Sequence, residues 1–271
     1  MICTRWVFAA LLALPGGPCW AQSLVFAVNE GVTYRVSNEE IRARYAAIAT
    51  DLAKLLGQPV RVEPVGDYAT LRKGLAAKAY DLALVHPAHI SIGAMKGSGY
   101  QLVAVTKGFQ NYSASFLVRA DAPYKSMADL KGLKLGAPDE DSITAWMVRA
   151  TLRDSYGDAK GMAITYTRYQ DAVPFMVQHT FTQAGATASS GVVKQWEAQG
   201  GKILFKSKPV PIKHLIASPA LSADQVEQLR AYFTGLDSTE SGRKKLEPIK
   251  VQGYAAYDTA ALLKLGTWLG L

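Results

Sequence analysis

The chain has 271 residues, with 30 lysines and arginines against 22 aspartates and glutamates, a formal charge of +8. The basic residues are scattered, Arg243-Lys244-Lys245 being the one run, and no basic stripe alternates with aromatics; this argues against nucleic-acid binding. Both cysteines, Cys3 and Cys19, fall at the amino end, so a chain shortened there offers no thiol, disulfide or thiolate metal site.

Residues 1–21 read as a secretory signal peptide: Arg5 is the positive start, Trp6 to Leu14 an apolar run too short to span a bilayer, and Cys19-Trp20-Ala21 a cleavage site. Acylation of Cys19 is the alternative, and Pro18 before it speaks against that. The expected product is a periplasmic protein, soluble after cleavage, of about 250 residues, enough for one large domain or two lobes.

Strand and helix signals then alternate. Leu24 to Val28 predicts a strand, Ser37-Asn38-Glu39-Glu40 a capping box opening a helix over 38–56, and Gly57 its end. A strand over 59–64, a helix capped by Asp67 and running to about Ala79, and a strand over 80–85 follow. This β-α-β-α-β pattern predicts an α/β fold with a parallel sheet covered by helices. His86-Pro87 opens the next helix, proline being tolerated in a first turn. Strand-like runs at 101–106 and 113–119 flank the polar stretch Lys107 to Asn111, where the chain is expected to cross to a second lobe. There a helical turn near Ser126, a strand over 133–137, a helix over 143–156, a strand over 163–166 and a helix over 171–178 repeat the theme. A strand and helix within 184–199 and a strand over 203–206 complete it. Pro209-Val210-Pro211 is the expected return crossing, and Ser222 caps a helix in a C-terminal part that packs on the first lobe. The lobes are therefore expected at 22–108 with 211–271, and at 109–210.

Ser142 stands where a loop meets a helix. The free N–H groups of Ile143, Thr144 and Ala145 give such a terminus partial positive charge, suited to an oxyanion. The plain alternative is an N-cap worth about 1 kcal/mol. Asp139, Glu140 and Asp141 precede it; a carboxylate there accepts the remaining proton of a monoprotonated phosphate or phosphonate and repels sulfate, or simply favours the helix dipole. His86 and His89, three residues apart, lack the further ligands a metal needs, since His179 and His214 are distant in sequence. One of the pair is expected to meet an anion and the other to be structural. Asn29, Tyr34 and Arg35 follow the first strand, and Arg35 offers a forked grip on an oxyanion. Signatures of hydrolases, zinc proteases, Walker loops and dinucleotide folds are missing, and GATASSG (185–191) lacks a P-loop lysine and reads as a turn. A periplasmic hydrolase using His86 or His89 has no nucleophile constellation to support it.

Taken in order, LGQPVRVEPVGDYATLRKGL (56–75), YDLALVHPAH (80–89), DLKGLKLGAPDEDS (129–142), GATASSG (185–191) and SKPVPIKHLI (207–216) resemble the periplasmic binding proteins of phosphate, phosphite and phosphonate (PhnD-like) ABC transporters. The resemblance implies a two-lobed, type II Venus-flytrap fold with a double interlobe crossover that closes on a small oxyanion, without cofactor or catalysis. It implies, too, a monomer that hands its ligand to an ABC permease or, alternatively, presents it to a membrane sensor kinase. It further implies that the family's Ser-Thr-Ser-Gly helix start is Ser142-Ile143-Thr144-Ala145 here, that His89 replaces a tyrosine donor, that Gln170 replaces a histidine, and that Tyr112 lies near the ligand. Gln183 stands where an acidic residue for an aminoalkyl tail is usual, which disfavours an amino-phosphonate.

Overall fold

The computed structural model describes residues 23–31, 36–157 and 163–271; the signal segment, Tyr34 and Arg35 lie outside the described residues. The chain begins with strand β1 (Leu24–Val28), helix α1 (Asn38–Leu56), β2 (Val60–Pro64), α2 (Tyr68–Ala76), β3 (Leu82–Val85), α3 (Ala88–Ser98) and β4 (Gln101–Thr106). Ser37 Oγ accepts the Glu40 amide and Gly57 ends α1 in the left-handed region at φ 67°. Only this arm of the anticipated capping box forms, because the Glu40 side chain pairs with Arg44 one turn on. Asp67 caps α2 through the Thr70 amide at 2.7 Å, and α2 ends at Ala76, three residues short of expectation, where Lys78 takes φ 55°.

The second half contributes β5 (Ser115–Val118), a 3-10 turn at Met127–Leu130, β6 (Lys134–Ala137), α4 (Ile143–Tyr156), β7 (Ala163–Tyr166) and α5 (Ala172–Gln178). Next come β8 (Ala184–Thr187), α6 (Ser190–Ala198), β9 (Lys202–Lys206) and β10 (His214–Ala217). The chain closes with α7 (Ala223–Gly235), α8 (Glu240–Leu246), β11 (Tyr254–Ala255) and α9 (Thr259–Leu269). At α7 both arms of the box are present: Ser222 Oγ accepts the Gln225 amide and Gln225 Oε1 accepts the Ser222 amide.

These strands build two sheets. One has the order β11-β4-β10-β3-β1-β2, the other β7-β6-β8-β5-β9. The first three strands pair in parallel as expected, but β10 runs antiparallel between β3 and β4, and β5 antiparallel between β8 and β9. Both sheets are thus mixed. The cause is the crossover: the chain leaves the first sheet at the carboxyl end of β4 and returns at that same end, so β10 runs against its neighbours. The anticipated turn at GATASSG is instead the buried strand β8 followed by the start of α6, with Ser189 as its N-cap. Glycine is needed there because a Cβ on Gly185 would come within 2.6 Å of Val173 and 2.7 Å of Val177 on α5.

The chain passes between sheets twice, after Thr106 and after Lys206, and the two passages pair through an antiparallel bridge between Tyr112 and Val210. The Tyr112 amide donates to Val210 O at 3.2 Å and the Val210 amide to Tyr112 O at 2.9 Å. One apolar cluster, with Ile48, Leu52, Leu229 and Phe233, sits between the first sheet and α1 and α7. A second runs through α2, α3 and α9 to α4 and the second sheet, so apolar contact is continuous from one lobe to the other. Helix α9 joins them: Gly266 lies against Ile92 of α3, while Arg153 of α4 donates to Trp268 O at 2.8 Å.

Candidate functional site

The carboxyl ends of parallel strands are where α/β folds leave free backbone and loop side chains for a ligand. In the first sheet β1 and β3 end at Asn29 and His86; in the second β6 ends at the loop that carries Asp139 to Ser142. These two rims face each other, and three side chains bridge them.

Asp141 is the bridge. Its carboxylate accepts two hydrogen bonds from Arg72 of α2, Nη1 at 2.7 Å and Nη2 at 2.5 Å, and lies 3.3 Å from His89 Nε2 of α3. Burial alone would raise the Asp141 pKa, but the hydrogen bonds from His89 and Arg72 and the guanidinium charge outweigh it and hold the carboxyl well below the usual range. His89 is 2% exposed in its side chain, and burial pulls its imidazole below the ordinary value although Asp141 opposes this. Nε2 stands between the Asp141 carboxylate at 3.3 Å and Arg72 Nη2 at 3.1 Å, an acceptor and a donor, while Nδ1 is buried without a partner. His89 stacks on Trp146 of α4, ring centroids 5.1 Å apart at 21°, and the Arg149 guanidinium sits 4.8 Å over the same indole. Tyr68, one turn before Arg72, is pushed up to about 12 by burial and by the charges of Asp141 and Asp139.

At the start of α4, Ser142 Oγ accepts the Ala145 amide at 3.1 Å, so the capping role is real and one of the three anticipated donors is spent on it. The Ser142 proton stays free to donate, as an accepting hydroxyl keeps its own O–H. Thr144 Oγ1 is buried without a partner. The side chains of Ile143 and Ala145 are buried, and Ile143 belongs to the apolar cluster.

Gln170 is brought to Tyr112: its Nε2 donates to Tyr112 Oη at 3.0 Å, while Oε1 accepts Thr187 Oγ1 at 2.9 Å and the Ala188 amide at 2.6 Å. This amide therefore ties the carboxyl end of β8 to the crossing strand. His86 turns away from His89: its Nδ1–H donates to Ile212 O at 3.1 Å, and burial pushes its imidazole down to about 4. The two histidines thus serve different partners. Gln183 lies at the opposite end of β8, strapped to Lys134 at 3.0 Å, so its identity carries no information about a ligand tail, contrary to expectation. Asn29 is a buried clamp, donating to Val65 O at 2.7 Å and accepting the Gly31 amide. Arg72, Tyr68 and Trp146 were missed by sequence reasoning. The signal for the first two was present: Tyr68 and Arg72 are four residues apart behind a helix cap, hence on one face.

Two mixed α/β lobes, a paired double crossing and facing strand rims define a type II periplasmic solute-binding protein. A family model described as "ABC transporter, phosphonate, periplasmic substrate-binding protein" matches residues 31–262, and the chain belongs to that family, one of transport-binding proteins rather than enzymes. Among solved structures it is similar to XAC2383 from Xanthomonas citri bound to ATP, at 14% identity and TM-score 0.71, over 92% of this chain and 97% of that one. It is similar to PhnD1 from Prochlorococcus marinus in complex with methylphosphonate, at 15% identity and TM-score 0.62, over 91% and 96%. A third is a binding protein component of an ABC phosphonate transporter from Pseudomonas aeruginosa, at 17% identity and TM-score 0.58, over 92% and 85%. These identities speak for the fold. No curated protein matches the chain. Among the described residues, no helix is long and apolar enough to cross a membrane.

Proposed function

We propose that this protein captures a small oxyanion of the phosphate, phosphite or phosphonate type between its lobes and delivers it, as a periplasmic monomer released by its signal peptide, to an ABC permease. The lobes divide at 108/109 and 210/211. The oxyanion takes the Ser142 and Thr144 hydroxyls and the Ile143 and Thr144 amides from the second lobe, with Tyr112 and Gln170 beside the crossing and His89 on the first; His86, spent on Ile212 O, is the structural one of the pair. Asp141 accepts the ligand's remaining proton.

The observation that carries this reading is the convergence at one helix start of an unpartnered buried Thr144 hydroxyl with the charged bridge of Asp141, Arg72 and His89. An orphaned buried hydroxyl costs about 1–3 kcal/mol, and a ligand oxygen removes that cost. That PhnD1 holds methylphosphonate and XAC2383 holds ATP supports a phosphorus oxyanion as the ligand class.

Isothermal titration of the mature protein against phosphate, phosphite, methylphosphonate, sulfate and taurine tests it. Micromolar binding of a phosphorus oxyanion, about −8 kcal/mol, is expected, with sulfate and taurine rejected. Replacing Ser142 and Thr144 together by alanine is expected to weaken that binding by about 2–4 kcal/mol. Unchanged affinity with a lower melting temperature leaves Ser142 only its cap.

A further inference from the structure

Lys213 is a cation on the first-lobe rim without a carboxylate partner among the described residues. The pairing of His214 with Val85 places Lys213 opposite His86, and the Thr106 amide donates to Lys213 O at 3.0 Å, so Lys213 sits at the carboxyl edge of the first sheet next to the return crossing. Its Nζ lies 4.0 Å over the Phe109 ring, on the other crossing strand. The side chain is half-buried, and among the described residues no carboxylate pairs with it. Glu30 is the acidic group whose charge it feels, yet the Glu30 carboxylate is already bonded to Arg44 at 3.3 Å and to Tyr45 Oη at 3.0 Å. An ammonium withdrawn from water without an anion is expensive, and a cation–π contact returns only part of that cost.

Arg72, another cation of the cleft, is in a different condition. Both oxygens of Asp141 hold Arg72, so its charge is met within the protein. The titratable neighbours of Asp141 include Arg72 and His89, whereas those of Lys213 are Glu30 and His86. The helix start of α4, on the second lobe, and Lys213, on the first, are thus electropositive groups with different neighbours.

We infer that Lys213 receives a second acid group of the ligand, so that the preferred ligand is a phosphorus oxyanion carrying an additional carboxylate or phosphate rather than an amine or a bare alkyl group. This rests on the oxyanion reading of the α4 start given above. Its chemistry is a charge-assisted hydrogen bond from the ammonium to an anionic oxygen in a partly dry site, with Phe109 fixing the lysine stem.

The test is titration of the wild-type protein and of Lys213→Met with methylphosphonate, 2-aminoethylphosphonate and phosphonoacetate. Wild type is expected to bind phosphonoacetate about tenfold or more tightly than methylphosphonate, the increment of one hydrogen bond to a charged group. Lys213→Met is expected to lose that advantage while keeping methylphosphonate affinity within about threefold, and Lys213→Arg to retain part of it. The methionine variant should melt at or above the wild-type temperature, since it removes a desolvated charge and keeps an apolar stem on Phe109; a merely structural lysine would lower it. A preference for the amine or for methylphosphonate overturns the inference alone. So does an equal loss of both acids in Lys213→Met, which would mean that the ammonium holds the oxyanion itself. If wild type binds none of the three, the oxyanion reading falls as well.

Discussion

Consider the removal of the Arg72–Asp141 bridge by Arg72→Gln, Asp141→Asn and the double variant. The geometry is two-pronged, with 2.5 and 2.7 Å contacts, which places the pair at the strong end of its kind. Each side chain is nevertheless 41% exposed, so solvent screens most of the Coulomb attraction, and the range for exposed pairs, about 0.2–1 kcal/mol, applies. The His89 bond to the same carboxylate adds about 1 kcal/mol. Asp141→Asn should therefore cost about 1–2 kcal/mol, a fall in melting temperature of roughly 2–8 °C for a chain of this size. The coupling between the two positions in the cycle should be about 1 kcal/mol or less and shrink in 1 M salt. Thermal unfolding gives the cycle, and small-angle scattering of the ligand-free protein gives the spread of the lobes, which should widen in all three variants. A coupling indistinguishable from zero, together with scattering unchanged by every substitution, would refute the claim that this contact joins the lobes.

Acid should weaken the fold before it reaches the carboxylates. Burial pushes His214 and His86 down to about 4, below the unfolded value near 6.5, so the unfolded chain binds more protons; stability is complete above about pH 6.5 and lost as pH falls towards 4. The gap for the fully buried His214 corresponds to at most about 3 kcal/mol, with less for the half-buried His86, and a melting temperature flat from pH 7 to 4.5 would contradict it. Asp141 loses its contribution in the same direction but in a lower window: its folded pKa is depressed below the unfolded value near 3.9, so its contribution is intact down to about pH 4 and disappears only below. Gly185→Ala should destabilise by about 1–3 kcal/mol through collision with Val173 and Val177, and Val177→Ala should recover part of it in a melting experiment; no recovery would locate the cost elsewhere.

Much of this architecture was legible in local chemistry. Ser37, Asp67, Ser142 and Ser222 each cap the helix they were expected to open, because an N-cap needs only one oxygen and a free amide three residues on. The apolar run before His86 is the buried strand it resembles. What was not legible depends on partners distant in sequence. HLIA (214–217) carries no mark of running antiparallel, since direction is set by the crossover and not by the strand. The two-residue strand at Tyr254 exists only because Thr106 and Val105 lie beside it. The same applies to the site. Ser142, His89 and Asp141 could be proposed from their places at helix starts, but Arg72 meets Asp141 across 69 residues, and Trp146 looked like one more member of an amphipathic face. Gln183 misled because its place in the motif order was known while the end of the strand it occupies was not.

The energies of these contacts also decide what can close the protein. A bridge worth about 1 kcal/mol shifts a two-state equilibrium about fivefold, whereas driving closure from 1:99 to 99:1 needs about 5.5 kcal/mol of differential affinity. The Arg72–Asp141 contact therefore biases the lobes towards each other without locking them. The balance falls to a ligand that touches both rims only when they meet. Because Arg72 is already neutralised, such a ligand gains little charge complementarity at the bridge itself. On the proposed reading its gain comes from the free hydroxyl of Ser142 and the orphaned Thr144 and, for a ligand with a second acid group, from Lys213 on the opposite rim. The crossing strands are tied together, Gln170 holding Tyr112 to β8 and Val210 holding it to the return strand. Substituting Gln170 by alanine should on this logic loosen the hinge side of the second lobe and speed amide exchange at Tyr112 and Val210, leaving the bridge at Asp141 intact. Exchange unchanged at both amides would show that the crossing does not depend on the Gln170 contact, and closure would then have to be transmitted through α9 instead.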